Sequence, residues 1–197
     1  VRRDDESGFR HAWPEVESAI ESGVGGLIIF GGEAGAVRDL AEEAQRIADF
    51  PLLIASDLER GAGQQFRGAT PLPPAAATGS LDDLETTRRA AEITAPEARA
   101  LGIGWVFAPV ADIDLEPLNP IVGTRAFGTD PQRVARQVEA WVRGCADGGA
   151  LSCAKHFPGH GRSVGDSHVS RPRVDASRAV LDGDLQPFRP AVAAGVD

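Results

Sequence analysis

Between Lys155 and His168 the sequence concentrates side chains that can donate, accept and transfer protons. This stretch holds three of the four histidines of the chain, together with a lysine and the carboxylate of Asp166. Pro158, Gly159 and Gly161 interrupt it, so a helix cannot run through it and a shaped loop is predicted. Loops that carry ionisable groups on a rigid scaffold are typical of active sites.

The elements that must position this loop follow from the apolar pattern of the chain. Four strand-like runs alternate with four helical patterns. The strand-like runs lie at 27–30, 52–55, 105–110 and 151–154. Three helical patterns lie at 36–49, 82–101 and 185–192, and the remaining one is capped by Asp130 with Pro131 at its first position. Pro96 is expected to end or kink the second helix. Four β-α units predict a parallel sheet covered by helices, with catalysis at the carboxyl ends of its strands.

The loop itself carries a recognisable motif. Lys-His-Phe-x-Gly-x-Gly-x4-Asp-Ser-His resembles the signature of family 3 glycoside hydrolases of the β-N-acetylhexosaminidase type. Segments 25–30, 52–59, 107–112 and 119–128 resemble the first three barrel strands of that family and the loop that follows them. All eight defined positions of the signature are matched, by Lys155, His156, Phe157, Gly159, Gly161, Asp166, Ser167 and His168.

The resemblance implies an α/β fold of the (β/α)8 TIM-type barrel class. Such a barrel needs eight units and about 250 residues, whereas this chain has 197 residues and about four units. We therefore expect residues 1–197 to form the N-terminal part of one barrel domain, with the rest of the barrel beyond residue 197. The aspartate nucleophile of the family is expected on a later strand, also outside this chain.

The activity that the resemblance implies is hydrolysis of terminal non-reducing β-linked N-acetylglucosamine residues by a retaining mechanism. In enzymes of this type the proton donor is the histidine of Asp-Ser-His, here His168, and Asp166 orients its ring. An imidazole titrates near neutral pH, and a carboxylate on its other nitrogen fixes the tautomer. A neutral histidine would also not repel an anionic acceptor, so phosphorolysis stays open.

The resemblance also implies a set of sugar-binding residues: Asp57, Arg125, Lys155 and His156. A carboxylate that accepts from hydroxyls and cations that donate to them suit a polar ring. One position departs from the family, because Gln65 stands where many of these hexosaminidases carry an arginine. A β-glucosidase of the same family, or a non-catalytic carbohydrate-binding barrel, are the alternative functions.

Two of these residues also have structural interpretations. Asp57 could cap a turn, and Arg125 could form an ion pair with Asp130 or Asp112. Because the nucleophile is expected outside this chain, residues beyond residue 197 decide whether the protein is an enzyme or a non-catalytic barrel.

We expect no metal and no cofactor. His156 and His160 have the spacing of a metal-ligand pair, which His168 or Asp166 could complete. Zinc ligands at this spacing normally lie on a helix, and the proline and glycine between the two histidines exclude one.

Composition limits the partners. A formal net charge of −9 argues against nucleic acid and anionic membranes. No apolar run approaches the roughly 18 residues that span a bilayer. We expect a cytoplasmic protein whose partner is a small carbohydrate substrate, and the sequence leaves its oligomeric state open.

Overall fold

A computed structural model of the chain describes residues 1–2, 9–165 and 171–197. The strands are β1 Gly26–Ile28, β2 Leu53–Ser56, β3 Trp105–Val106 and β4 Leu151–Ser152. The helices are α1 Trp13–Glu21, α2 Ala34–Ile47, α3 Ala75–Leu81, α4 Leu84–Ala100, α5 Pro131–Asp147, α6 Arg178–Asp184 and α7 Phe188–Ala193. None of the helices in the described part is long and apolar enough to cross a membrane.

The strands form one parallel sheet in the order β1-β2-β3-β4, which confirms the prediction. Hydrogen bonds continue beyond β3 and β4, because the Lys155 N–H donates to the Pro109 carbonyl at 3.0 Å and the Ala111 N–H donates to the Lys155 carbonyl at 2.6 Å. These two chain segments therefore run side by side from the sheet into the signature loop.

Helix α5 covers the sheet together with α4, as its apolar stripe predicts. Its N-cap is Asp130, whose side chain accepts from the Arg133 N–H at 2.7 Å, and Pro131 takes the first helical position. Both features are as predicted. The stripe is buried throughout, at Val134, Val138, Trp141, Val142 and Cys145.

Pro96 was predicted to end or kink the second helix; it does not end it, because α4 continues to Ala100. Pro96 removes one backbone donor, but Ala91, Ala95 and Ala98 of the same helix are fully buried. Tertiary packing thus outweighs local propensity.

The carboxyl-terminal pattern at 185–192 also differs in detail. Within the predicted range the structure has only α7, Phe188–Ala193, and Leu185 lies between it and α6, a helix that precedes the pattern and was not predicted. Phe188 and Ala191 are buried, whereas Val192 is exposed. The sequence predicted neither α1 nor α3.

Candidate active site

The signature loop is held in place by its glycine and by its neighbours. A Cβ at Gly161 would lie 1.7 Å from the Ile113 carbonyl oxygen, so only glycine fits there. The Glu116 N–H donates to the Gly161 carbonyl at 3.1 Å. Arg162 adds a short ion pair to Asp184 of α6, with 2.7 Å between Nε and Oδ2. The loop is therefore fixed against two other parts of the chain.

Four charged side chains from the segments that follow β2, β3 and β4 form one cluster, which we call the charge cluster: Asp57, Glu59, Arg125 and Lys155. Lys155 Nζ contacts Asp57 Oδ1 and lies 2.7 Å from Glu59 Oε1. Arg125 binds the same Glu59 in a bidentate manner, with 2.9 Å from Nε to Oε2 and 2.7 Å from Nη2 to Oε1. Two carboxylates and two cations balance each other.

Glu59 is the centre of this cluster. Burial raises the pKa of its carboxyl group, but the hydrogen bonds from Arg125 and the charge of Lys155 outweigh that effect and hold the pKa at about 2. Hydrogen bonds to Glu59 likewise raise the pKa of Arg125. Both groups are therefore ionised at neutral pH, and the cluster presents fixed charges to a ligand.

Asp112 organises the adjacent histidine. It is buried, and its Oδ2 lies 2.6 Å from His156 Nδ1, while its Oδ1 accepts from the backbone N–H groups of His156 at 3.3 Å and His160 at 2.6 Å. Arg125 Nη2 lies 3.3 Å from His156 Nε2. Because a guanidinium can only donate, Nε2 is the acceptor and the proton is on Nδ1, facing Asp112.

The structure thus brings together the four residues predicted to bind sugar: Asp57, Arg125, Lys155 and His156. Their assignment to sugar binding stays a prediction. Both ring nitrogens of His156 are engaged within the protein, so its donor proton is directed to Asp112.

The alternative interpretation of Arg125, an ion pair with Asp130 or Asp112, is wrong. Asp130 caps α5 and Asp112 binds His156. The guanidinium of Arg125 pairs with Glu59. The sequence reasoning also missed Glu59 and Asp112 as site residues. Their positions, two residues after Asp57 and at the end of the third strand segment, were the available signals.

The predicted catalytic pair, Asp166 and His168, lies outside the described residues. Within the described ranges no group of three or more potential ligands could hold a metal ion. Both ring nitrogens of His160 are buried and have no hydrogen-bond partner in the described part of the chain.

At the position where the family carries an arginine, Gln65 Oε1 accepts from the Gly31 N–H at 3.2 Å. This bond joins the loop after β2 to the loop after β1. The neutral side chain thus occupies the corner of the site next to Asp57, with a structural contact of its own.

Two curated proteins that are similar to this chain carry the names of glycosidases. A β-hexosaminidase of Thiobacillus denitrificans is 39% identical over 185 residues, covering 88% of this chain and 51% of the relative. A β-N-acetylglucosaminidase/β-glucosidase of Cellulomonas fimi is 40% identical over 177 residues, covering 88% of this chain and 31% of the relative. The chain thus spans about half the length or less of these curated relatives.

A solved structure supports the fold. The glycoside hydrolase family 3 β-N-acetylglucosaminidase from Paenibacillus sp. str. FPU-7 superposes with a TM-score of 0.88 at 40% identity, over 93% of this chain and 37% of that one. The chain therefore has the N-terminal part of a TIM-barrel-like α/β fold. Residues 9–197 match the N-terminal domain of glycosyl hydrolase family 3, and the chain belongs to that family.

Proposed function

We propose that the protein containing this chain hydrolyses terminal non-reducing β-linked N-acetylglucosamine residues with retention of configuration. The observation that carries the proposal is the charge cluster, in which acceptors and donors from the segments after β2, β3 and β4 meet at the start of the signature loop. The names of the two relatives described above support N-acetylglucosamine as the sugar.

In this proposal the charge cluster binds the sugar. Asp57 accepts from hydroxyl groups, and Lys155 and Arg125 donate to them. Glu59 positions both cations, since it binds each of them directly. Asp112 fixes His156, whose contact with Arg125 completes the arrangement.

The chemical step is assigned by the resemblance. His168 protonates the leaving group and then deprotonates the attacking water, and Asp166 orients its ring. The nucleophile and the rest of the barrel are proposed to lie beyond residue 197, so that residues 1–197 form the N-terminal part of one domain. The cytoplasmic location expected from the sequence stays a prediction.

β-Glucosidase activity is the second candidate. Gln65 replaces the arginine found in many hexosaminidases of the family, and the Cellulomonas fimi relative is named for both activities. Turnover of a chromogenic N-acetylglucosaminide and of the matching glucoside by the full-length protein separates the two. Turnover of neither substrate, with retained sugar binding, would favour a non-catalytic barrel.

The binding role is tested by calorimetry with N-acetylglucosamine. Asp57→Ala, Arg125→Ala and Lys155→Ala in the full-length protein should each weaken binding by about 1–3 kcal/mol, because each removes a charged hydrogen-bond partner of the sugar. Arg46→Ala is the matched control, since it breaks a 2.6 Å ion pair to Glu43 on the exposed surface of α2. Wild-type affinity in all three site variants would place the sugar elsewhere.

A further inference from the structure

An apolar groove of about 420 Å³ lies on the outer surface of the molecule, between α3 and α4. Its walls are mostly aliphatic side chains and prolyl carbons: Leu72, Pro73, Ala77, Leu81, Ala90 and Ile93. Leu81 is 65% exposed, and Ile93 is exposed as well. A groove of this kind, with apolar walls and a polar border, is typical of a surface that contacts another molecule.

The position of the groove separates it from the part of the molecule where a barrel is completed. Helix α4 connects β2 to β3, which are the two central strands of the sheet. Further strands can pair only at the edges of the sheet, which are β1 and β4. The groove lies over the middle of the sheet on its helix-covered side, so the strands that close the barrel do not reach it.

Two opposite charges border the groove. Glu85 and Arg89 both line it, and because they are four residues apart on α4 they stand on the same face of the helix, one turn from each other. Their contacts within α4 are surface ion pairs that solvent screens: Glu85 lies 3.9 Å from Arg88, and Arg89 lies 3.3 Å from Glu92. Both charges therefore remain available to a molecule that enters the groove.

The order of these side chains along the helix makes the groove complementary to itself. If two copies of α4 run antiparallel about a two-fold axis at the level of Thr87, Glu85 of each copy lies opposite Arg89 of the other, since both residues are two positions from Thr87. Leu81 and Ile93 are both six positions from Thr87, so the same axis brings Leu81 of one copy toward Ile93 of the other. A single axis thus matches the charged and the apolar contacts, as a symmetric dimer requires.

We propose that this groove is the contact surface of a symmetric dimer and that its occupant is the same groove of a second copy of this chain. The two Glu85–Arg89 pairs fix the antiparallel direction, and the contacts between Leu81 and Ile93 exclude water from both ends. Since one helix face of each copy forms the contact, the dissociation constant is on the order of 100 µM and dilute protein is monomeric. The proposal does not depend on the proposed function.

The test is sedimentation velocity of the full-length protein. The wild type should change from monomer to dimer as its concentration rises from about 5 to about 500 µM. Glu85→Arg and Arg89→Glu should each raise the dissociation constant at least about tenfold, because each creates two like-charge contacts. Leu81→Ala, which changes no charge, should raise it about fivefold. Arg38→Glu is the matched control, because Arg38 and Glu42 have the same spacing on the exposed surface of α2, and it should leave the dissociation constant unchanged.

Mixing the two charge reversals tests the antiparallel pairing itself. A dimer of one Glu85→Arg copy and one Arg89→Glu copy has two opposite-charge contacts again, so an equimolar mixture should dimerise like the wild type. Circular dichroism checks that each variant is folded. A wild type that stays monomeric at every concentration, or a dimer whose dissociation constant none of the three groove variants changes, would overturn the proposal. Single variants that weaken the dimer without restoring it when mixed would overturn the pairing of Glu85 with Arg89.

Discussion

The two faces of the sheet differ sharply although their residues alternate along the same strands. On β2, Ile54 faces the helices and is 1% exposed, whereas its neighbour Leu53 is 38% exposed. Ile29 and Val106 are buried like Ile54, while Ile28 and Leu151 are exposed like Leu53. One face of the sheet is thus covered by the described helices and the other is not.

The uncovered face is also the one that leads to the site. Side chains alternate with a period of two along a strand, so Leu53 and Asp57 share one face, and so do Leu151 and Lys155. The helix-packed face therefore supplies stability, while the open face ends in the charge cluster. In a closed barrel this open face would become the interior.

The largest expected effect concerns completion of the open face. Residues 1–197 expressed alone should aggregate and show glycosidase turnover at least about 10⁴-fold below that of the full-length protein, because the proposed nucleophile is missing. Thermal unfolding and turnover of both proteins measure this. A cooperative transition with native-like turnover in residues 1–197 would contradict both the placement of the nucleophile and the need for a second half.

The next effect concerns the proposed proton donor, His168, and its proposed orienting partner, Asp166. His168→Ala or Asp166→Ala should each lower the rate about 10²–10⁴-fold, the usual size of general acid–base catalysis. The double variant should lose little more than the worse single one, because residues that act as a unit are non-additive.

The leaving group provides the control for this pair. A nitrophenolate departs without a proton, so His168→Ala should affect glycosylation least with a nitrophenyl substrate and most with an unactivated disaccharide. Azide should speed deglycosylation in this variant. Equal defects on both substrates together with additive losses would leave His168 with a structural role.

The third effect tests the two faces directly. In the full-length protein, Ile54→Ala and Leu53→Ala should each lower the free energy of unfolding by about 2–4 kcal/mol, since a closed barrel buries both side chains. Leu81→Ala, at a strongly exposed position on α3, is the control and should stay within about 0.5 kcal/mol of wild type. Urea unfolding measures all three. A change at Leu53 as small as the control would show that the open face stays open.

The sequence predicted the alternation of strands and helices because both depend on local periodicity. It missed α3, whose sequence of alanines, Thr78, Gly79 and Ser80 has no apolar period. It also predicted an end or a kink at Pro96, because the burial of the alanines around this residue depends on packing against α5, which begins 31 residues after α4 ends.

Within the site, the sequence identified the residues that carry motifs but not those that hold them. Lys155 and His156 lie in the signature, so their positions were predicted. Glu59 and Asp112 act through partners 66 and 44 residues distant along the chain. Only the folded sheet brings such pairs together, so no local pattern could assign Arg125 to Glu59 in preference to Asp130.

The smallest expected effect concerns the pH dependence of the charge cluster. Glu59 has a folded-state pKa of about 2, below its ordinary value of 4.5. As the pH falls, the unfolded chain therefore takes up this proton first, and the stability that ionised Glu59 provides is present above about pH 4.5 and lost toward pH 2.

Glu59→Gln in the full-length protein should consequently lower the free energy of unfolding by about 1–3 kcal/mol at pH 7, because Arg125 loses its charged partner. The difference from wild type should shrink between pH 4.5 and 2, where wild-type Glu59 itself becomes neutral. Glu43→Gln is the matched control: Glu43 also pairs with an arginine, but on the exposed surface, where solvent screens the pair and the pH dependence should be much weaker. Urea unfolding of the wild type and of both variants at pH 7, 4 and 3 measures these differences in the free energy of unfolding. A difference for Glu59→Gln that stays constant across this range would mean that ionisation of Glu59 does not hold the cluster together. In that case the two cations would be positioned by Asp57, His156 and the backbone carbonyl of Ile121.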